Sequence, residues 1–365
     1  MKGLINIDTR NSGGRSKSFL NFFLITFISF LSFSCADSTQ RILFELSFDE
    51  VKELALKENK PFCIILSKTN CPPCQPFIEA LSEKRHKLLK KAYFVVVDAE
   101  QAGDKWYLEW SMNMAFPSTF IFSPTGELKT IVLGSVAASF ECIEDVLNDN
   151  MACAKFMFKH RFGDVSYDEV IGMLNDVLRC KQKLDRGEDI SDDINKTISL
   201  IPYPYNIYLK YLNETRKGDN EVVAQLIEQI LTYDEPIYQR IYANMYSKLK
   251  KDIYTEFELA QLPNLGVDST EIILGECEMH VPKSFSVNLT NKGERILSLT
   301  DIITSCDCLK LGENEKRKMG IRPGESVTIS FVFTPDKRGE IKRDIIIYSN
   351  SFNSPLRITT IAIVR

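Results

Sequence analysis

Pro61-Phe62-Cys63-Ile64-Ile65-Leu66-Ser67, followed shortly by Cys71-Pro72-Pro73-Cys74, is the stretch on which the reading of the N-terminal part turns. The first piece is an apolar run of the length a buried strand has. After the second, Phe77, Ile78, Leu81 and then Leu88 and Leu89 fall at helical spacing. The Cys-x-x-Cys therefore sits at a helix N-terminus. Pro73 disfavours helical geometry at Pro72, so the helix is expected to begin at Pro73 or Cys74. The first turn of a helix offers unsatisfied N–H groups and a partial positive charge, which favour a thiolate over a thiol. On that basis Cys71 is the expected exposed nucleophile and Cys74, one turn in, its resolving partner. The two prolines remove donors near Cys71, so only a modest lowering of its thiol pKa is expected.

Further elements place this pair in a context. Phe116-Pro117-Ser118-Thr119-Phe120 brings a proline into an apolar strand, and Ala92 to Asp98 is a second apolar run. Ser47 and Glu50 have the spacing of a capping box, and Ser123-Pro124-Thr125-Gly126 reads as a hairpin turn. Strands alternating with helices imply a sheet covered by helices. Residues 42 to 137 as a whole resemble the thioredoxin superfamily. The resemblance implies a thioredoxin-like fold with Cys71 and Cys74 as the redox pair. It also implies a cis-proline at Pro117, with Phe116 guiding an extended substrate segment by strand addition. Two positions depart from that family: Asn70 stands where Trp often precedes the first Cys, and the place of a buried acid falls near Ile65. The proton acceptor for Cys74 is therefore open between Lys68 and Asp98. Metal binding by half a site and a catalytically dead binding fold are the competing readings of the Cys pair.

Ahead of this region, Lys17-Ser18 leads into the apolar run Phe19 to Phe33 and then Ser34-Cys35. The run is shorter than a spanning helix needs and has the layout of an export signal. It resembles a bacterial lipoprotein signal over residues 1–35, which implies acylation of Cys35 and a lipid-anchored place in the cell envelope. Phe33 stands where a small residue is usual in such signals. In an oxidising compartment disulfides are permitted. Of the ten cysteines, five lie outside Cys35, Cys71/Cys74 and Cys306/Cys308: Cys63, Cys142, Cys153, Cys180 and Cys277. If Cys142 and Cys153 share one helix they are ~16 Å apart along its axis and cannot bond each other. Most of the five are expected to be small buried hydrophobes.

The chain of 365 residues is too long for one ordinary domain, and its net charge of −4 carries no nucleic-acid signature. From 139 to 257 the pattern is helical: Val170, Ile171, Leu174, Val177 and Leu178 form one stripe, and Val222, Val223, Leu226, Ile227 and Ile230 another. Tyr203, Tyr205, Tyr208 and Tyr211 at helical spacing read as core. Leu262 to Gly266 reads as a linker. Residues 267–365 then alternate as strands do, through Phe285-x-Val287-x-Leu289, Val327 to Phe333, Asp344 to Tyr348 and Leu356 to Ile363. About seven short strands over such a length predict a β-sandwich. The expected architecture is thus multidomain: α/β, then helical, then β.

This last part resembles an uncharacterised bacterial family of immunoglobulin-like domains, related in shape to Hydin-type sandwiches. The matching residues are the turn Asn291-Lys292-Gly293, the run Thr304-Ser305-Cys306-Asp307-Cys308, the turn Pro323-Gly324, Gly339 and Ser349-Asn350. Asp307 replaces the Gly common between the two cysteines. Cys306 and Cys308 form a candidate second redox pair, since a Cys-x-Cys disulfide closes a small strained ring that is easily reduced. Structural thiols or two soft ligands for copper or zinc are the other readings, with His280 the nearest histidine in sequence. The expected activity is thiol-disulfide exchange with protein thiols or disulfides of the envelope, coupled to an electron donor or acceptor. It needs no organic cofactor, because the electrons reside on sulfur. A non-catalytic binding or metal-handling lipoprotein is the alternative.

Overall fold

The computed structural model describes residues 42–68, 71–83, 85–99, 104–313, 315 and 319–365. Asn70, Cys35 and the Phe19 to Phe33 run lie outside the described residues. Among the described residues no helix is long and apolar enough to cross a membrane.

The N-terminal sheet has β1 (Ile42–Phe44), β2 (Phe62–Ser67), β3 (Tyr93–Asp98), β4 (Ser118–Phe122) and β5 (Leu128–Leu133), in the order β1-β3-β2-β4-β5. β3 runs parallel to β1 and β2, whereas β4 is antiparallel to both β2 and β5. β2 is thus central, and Phe62, Cys63, Ile64, Ile65 and Leu66 are all buried. A strand covered on both faces needs such an unbroken apolar run. The helix Phe48–Glu58 opens with the Ser47/Glu50 capping box and closes on Asn59 in the left-handed region. The helix Cys74–Glu83 ends before a separate helix, His86–Lys91, which carries the buried Leu88 and Leu89.

Helices from Ala137 to Gln261 follow. The longest, Tyr167–Asp185, starts at a Ser166/Glu169 capping box and buries Val170, Met173, Leu174, Val177 and Leu178. That stripe shares one hydrophobic core with Phe62, Val95 and Phe120 of the sheet and with Tyr203, Tyr205 and Tyr211. Three polar side-chain groups stitch the seam. Trp110 donates its indole N–H to the Leu174 carbonyl (2.9 Å), Tyr203 its hydroxyl to the Trp110 carbonyl (3.0 Å), and Tyr242 its hydroxyl to the Glu109 carbonyl (2.9 Å). Each group is satisfied where water is excluded.

The C-terminal part has two sheets around one core. The four-stranded sheet is β10-β12-β8-β6, from β6 (Leu265–Val267), β8 (Lys283–Asn291), β10 (Leu309–Leu311) and β12 (Ser326–Phe333). The five-stranded sheet is β11-β9-β13-β14-β7, from β7 (Glu271–Cys277), β9 (Leu297–Thr304), β11 (Met319–Ile321), β13 (Gly339–Ser349) and β14 (Leu356–Val364). Leu265 and Gly266, expected in a linker, instead form β6, because Leu265 is buried and pairs with Asn291. Gly293 is required where the turn after β8 meets this entry: a Cβ there would lie 1.9 Å from the Leu262 carbonyl oxygen.

Cys142 and Cys153 are bonded to each other, with Cα atoms 5.6 Å apart, contrary to the expectation from one continuous helix. The helix Ala137–Leu147 stops before Asn148, and Asn150 donates its N–H back to the Asp145 carbonyl, folding the chain over so that Cys153 returns to Cys142. Cys63, Cys180 and Cys277 are buried free thiols. Burial pushes the Cys63 thiol pKa up and raises that of Cys180 to about 11, so neither is poised to react at neutral pH. Closing a loop of this size stabilises by about 2–3 kcal/mol through the unfolded state. Replacing both Cys142 and Cys153 by Ala is expected to lower the unfolding free energy by that amount in urea titrations, with the native circular dichroism retained.

Candidate active site at the Cys71–Cys74 pair

The central position of β2 sets the site. Its C-terminal end leads to Cys71, and Cys74 donates its N–H to the Cys71 carbonyl at 3.2 Å where the next helix begins. The helix start at Cys74 agrees with the proline reading. Cys71 and Cys74 form a disulfide, with Cα atoms 5.3 Å apart. The register of β2 against β4 pairs Leu66 with Ser118. Pro117, just before that pair, is therefore beside the strand end from which the Cys loop departs, and the Phe116–Pro117 peptide bond is cis. Ser118 is held in place by Asn113, which donates to its hydroxyl at 2.7 Å. Ile65, at the place where an acid was sought, is a fully buried core residue. Asp98 pairs with Ser67 at the end of β3.

Cys71 is not the exposed nucleophile that the sequence suggests: only 8% of it is accessible. A cavity of about 490 Å³ is lined on one side by Ser67, Lys68, Cys71, Pro72, Cys74 and Gln75, and on the other by Asp336, Lys337 and Arg343. Lys68, Lys337 and Arg343 set three cations against one carboxylate around the sulfurs. Positive charge beside a thiol, added to the helix N-terminus, favours the thiolate.

A second cleft, of about 370 Å³, lies along Phe116 and shares Lys68 with the first. The Lys68 ammonium is 5.4 Å from the centre of the Phe116 ring, within cation–π reach. Ile303, Ile346, Tyr348 and Arg357 of the five-stranded sheet line the same cleft. Arg240 joins the two parts there, with an ion pair to Asp301 at 3.3 Å and its guanidinium over the Tyr348 ring.

Glu109 also lines this cleft, and sequence reasoning missed it. Desolvation pushes its carboxyl up to about 8, against the opposing pull of Lys105. The run Trp106-Tyr107-Leu108-Glu109-Trp110 gives no local signal for it, because the residues that share its cleft, Arg240, Ile303 and Tyr348 among them, lie far along the chain. Cys306 and Cys308 are bonded to each other and each is partly buried.

Residues 265–364 match the family model described as "Protein of unknown function (DUF1573)". No curated protein matches the chain. Solved structures with partial similarity include a protein of unknown function from Porphyromonas gingivalis W83, at 21% identity over 31% of this chain and 50% of that one, TM-score 0.25. The chain thus spans half the length of that protein. The N21Q mutant thioredoxin from Halobacterium salinarum NRC-1 is similar at 14% identity over 32% of this chain and 96% of its own, TM-score 0.26. A wild-type thioredoxin h from poplar is similar at 16% identity over 30% of this chain and 96% of its own, TM-score 0.26.

Glu109 gives the site a pH signature. A carboxyl whose folded-state pKa is raised keeps full stability below the unfolded value, near 4.5, and loses it as pH climbs through about 8. Glu109→Gln removes that loss. The variant is expected to match the parent in urea midpoint at pH 4 and to exceed it increasingly up to pH 8, by an amount on the order of a few kcal/mol.

Proposed function

We propose that the protein is a thiol-disulfide oxidoreductase acting on protein thiols or disulfides through Cys71 and Cys74. The observation that carries this reading is a disulfide at the start of a ten-residue helix, opening onto a cation-lined cavity. In the reducing direction the Cys71 thiolate attacks one sulfur of a client disulfide. A Cys71–client bond forms, the client bond breaks, and the electron pair leaves on the second client sulfur. The Cys74 thiolate then attacks Cys71, releasing the client as a dithiol and restoring the Cys71–Cys74 bond. The client gains two electrons and the pair loses them; a separate electron donor must reduce the pair again. Oxidation of a client dithiol is the same sequence reversed, with an acceptor in the donor's place.

Phe116 and the cis Pro117 are the proposed guides for the client backbone, because Phe116 lines a cleft that shares Lys68 with the cavity at the Cys pair. The apolar run Phe19 to Phe33 and Cys35 support a lipid-anchored place in a bacterial envelope, where such exchange has clients.

Cys71→Ser is expected to lower reduction of insulin disulfides by at least about a hundredfold with the fold intact, whereas Cys74→Ser should accumulate a mixed disulfide that dithiothreitol releases. Titration of the parent in glutathione buffers, read by alkylation and mass spectrometry, should show one reversible Cys71–Cys74 transition. Thiols that never pair across that range would sink the assignment.

A further inference from the structure

The second disulfide is tied to the first cavity by one side chain. Arg343 donates its Nε–H to the Cys308 sulfur at 3.1 Å, and the same guanidinium lines the cavity that contains Cys71 and Cys74. Arg343 is 8% exposed, so its charge acts at short range with little water to screen it. Its other contacts are the Lys342 carbonyl at 2.9 Å and Asp336 at 3.8 Å.

The local backbone holds this arrangement from both sheets. Ser305 donates its N–H to the Asp344 carbonyl at 2.9 Å, next to Arg343 on β13. Cys308 accepts at its carbonyl from the Thr334 N–H at 2.7 Å, at the end of β12. Cys306-Asp307-Cys308 is therefore the crossing from the five-stranded sheet to the four-stranded one, and Asp336 and Lys337, which line the cavity at Cys71, come just after Thr334. Unlike the three free thiols, neither Cys306 nor Cys308 is fully buried.

We propose that Cys306–Cys308 is an exchange partner of Cys71/Cys74 within the same chain, with Arg343 stabilising Cys308 as the leaving thiolate. This rests on reading Cys71 and Cys74 as an exchange pair. With that pair reduced, the Cys71 thiolate attacks the Cys306 sulfur. The Cys71–Cys306 bond forms, the Cys306–Cys308 bond breaks, and the electron pair settles on Cys308 beside the guanidinium. Cys74, after giving its proton to solvent, attacks Cys71. The Cys71–Cys74 bond forms and Cys306 leaves as a thiolate that takes up a proton. Two electrons have passed from the N-terminal pair to the C-terminal one. The reverse sequence passes them back, and a dithiol or disulfide of another protein closes the cycle. A positive charge held at the departing sulfur lowers the pKa of the leaving thiol, which speeds its departure. Asp336, Lys337 and Arg343 already stand at the cavity that contains Cys71 and Cys74, without the arrival of another protein.

The test is disulfide trapping in the full chain. Cys74→Ser combined with Cys308→Ser leaves Cys71 and Cys306 as the only thiols of the two pairs. On oxidation with glutathione disulfide, the expected product is an intramolecular Cys71–Cys306 bond, seen as one cross-linked peptide in non-reduced digests of the monomer. Two separate glutathione adducts without that link, in protein with native circular dichroism, would overturn the relay yet leave Cys71 reactive and the oxidoreductase reading standing. A Cys71 that forms neither the link to Cys306 nor a glutathione adduct would overturn both. A second readout does not need the double variant. In fully reduced protein, Arg343→Gln is expected to slow iodoacetamide alkylation of Cys308 at neutral pH by about tenfold, with Cys306 much less affected. An unchanged Cys308 rate would remove Arg343 from the step.

Discussion

β2 is hydrogen-bonded along both edges, to β3 and to β4, and apolar side chains cover it on both faces. A strand so enclosed cannot slip by a residue without turning its whole side-chain set over, so its register is tightly determined. Everything chemical follows from where that strand ends. The Leu66–Ser118 pair brings Pro117 alongside, the loop to Cys71 departs, and the helix opens at Cys74. The site is thus built on a rigid element, as a site must be when sulfur atoms have to meet in line.

The second organising fact is that the protein's own C-terminal part lines both spaces at the candidate site. Asp336, Lys337 and Arg343 stand across the cavity from the Cys pair, and Ile303, Ile346 and Tyr348 stand across the cleft from Phe116. The Arg240–Asp301 pair is partly buried, so it is screened less than a surface pair, and it ties the helical layer to β9. The N-terminal sheet, the helical layer and the C-terminal five-stranded sheet all contribute to this lining.

Much of this was legible locally. The Ser47/Glu50 box, the start at Cys74, the alternation through Val327 to Phe333 and the core role of Tyr203, Tyr205 and Tyr211 rest on contacts within a few residues or on simple period. What escaped depends on distant partners. The cavity at Cys71 is completed by Asp336, Lys337 and Arg343, far along the chain. Arg343 shares the inward face of β13 with Ile341 and Ile345, and nothing local shows that β9 and β13 pair and bring Cys308 to it. The Cys142–Cys153 bond was misread because the end of the helix at Leu147 is set by a turn through Asn148 and Asn150 that carries no proline or glycine. Glu109 owes its raised pKa to surroundings that the middle helices and the β-sheets supply together.

The tryptophans have a consequence of their own. The chain contains two, Trp106 and Trp110, and both lie on the short helix between the N-terminal sheet and the helical layer. Trp110 is wholly buried there, stacked near Phe120 and anchored to Leu174. The two C-terminal sheets contribute no indole at all. Tryptophan fluorescence therefore reports on a single seam and is silent about those two sheets, whereas far-ultraviolet dichroism sees helices and strands throughout. Whether the two signals melt together becomes a direct reading of how far cooperativity extends along this chain.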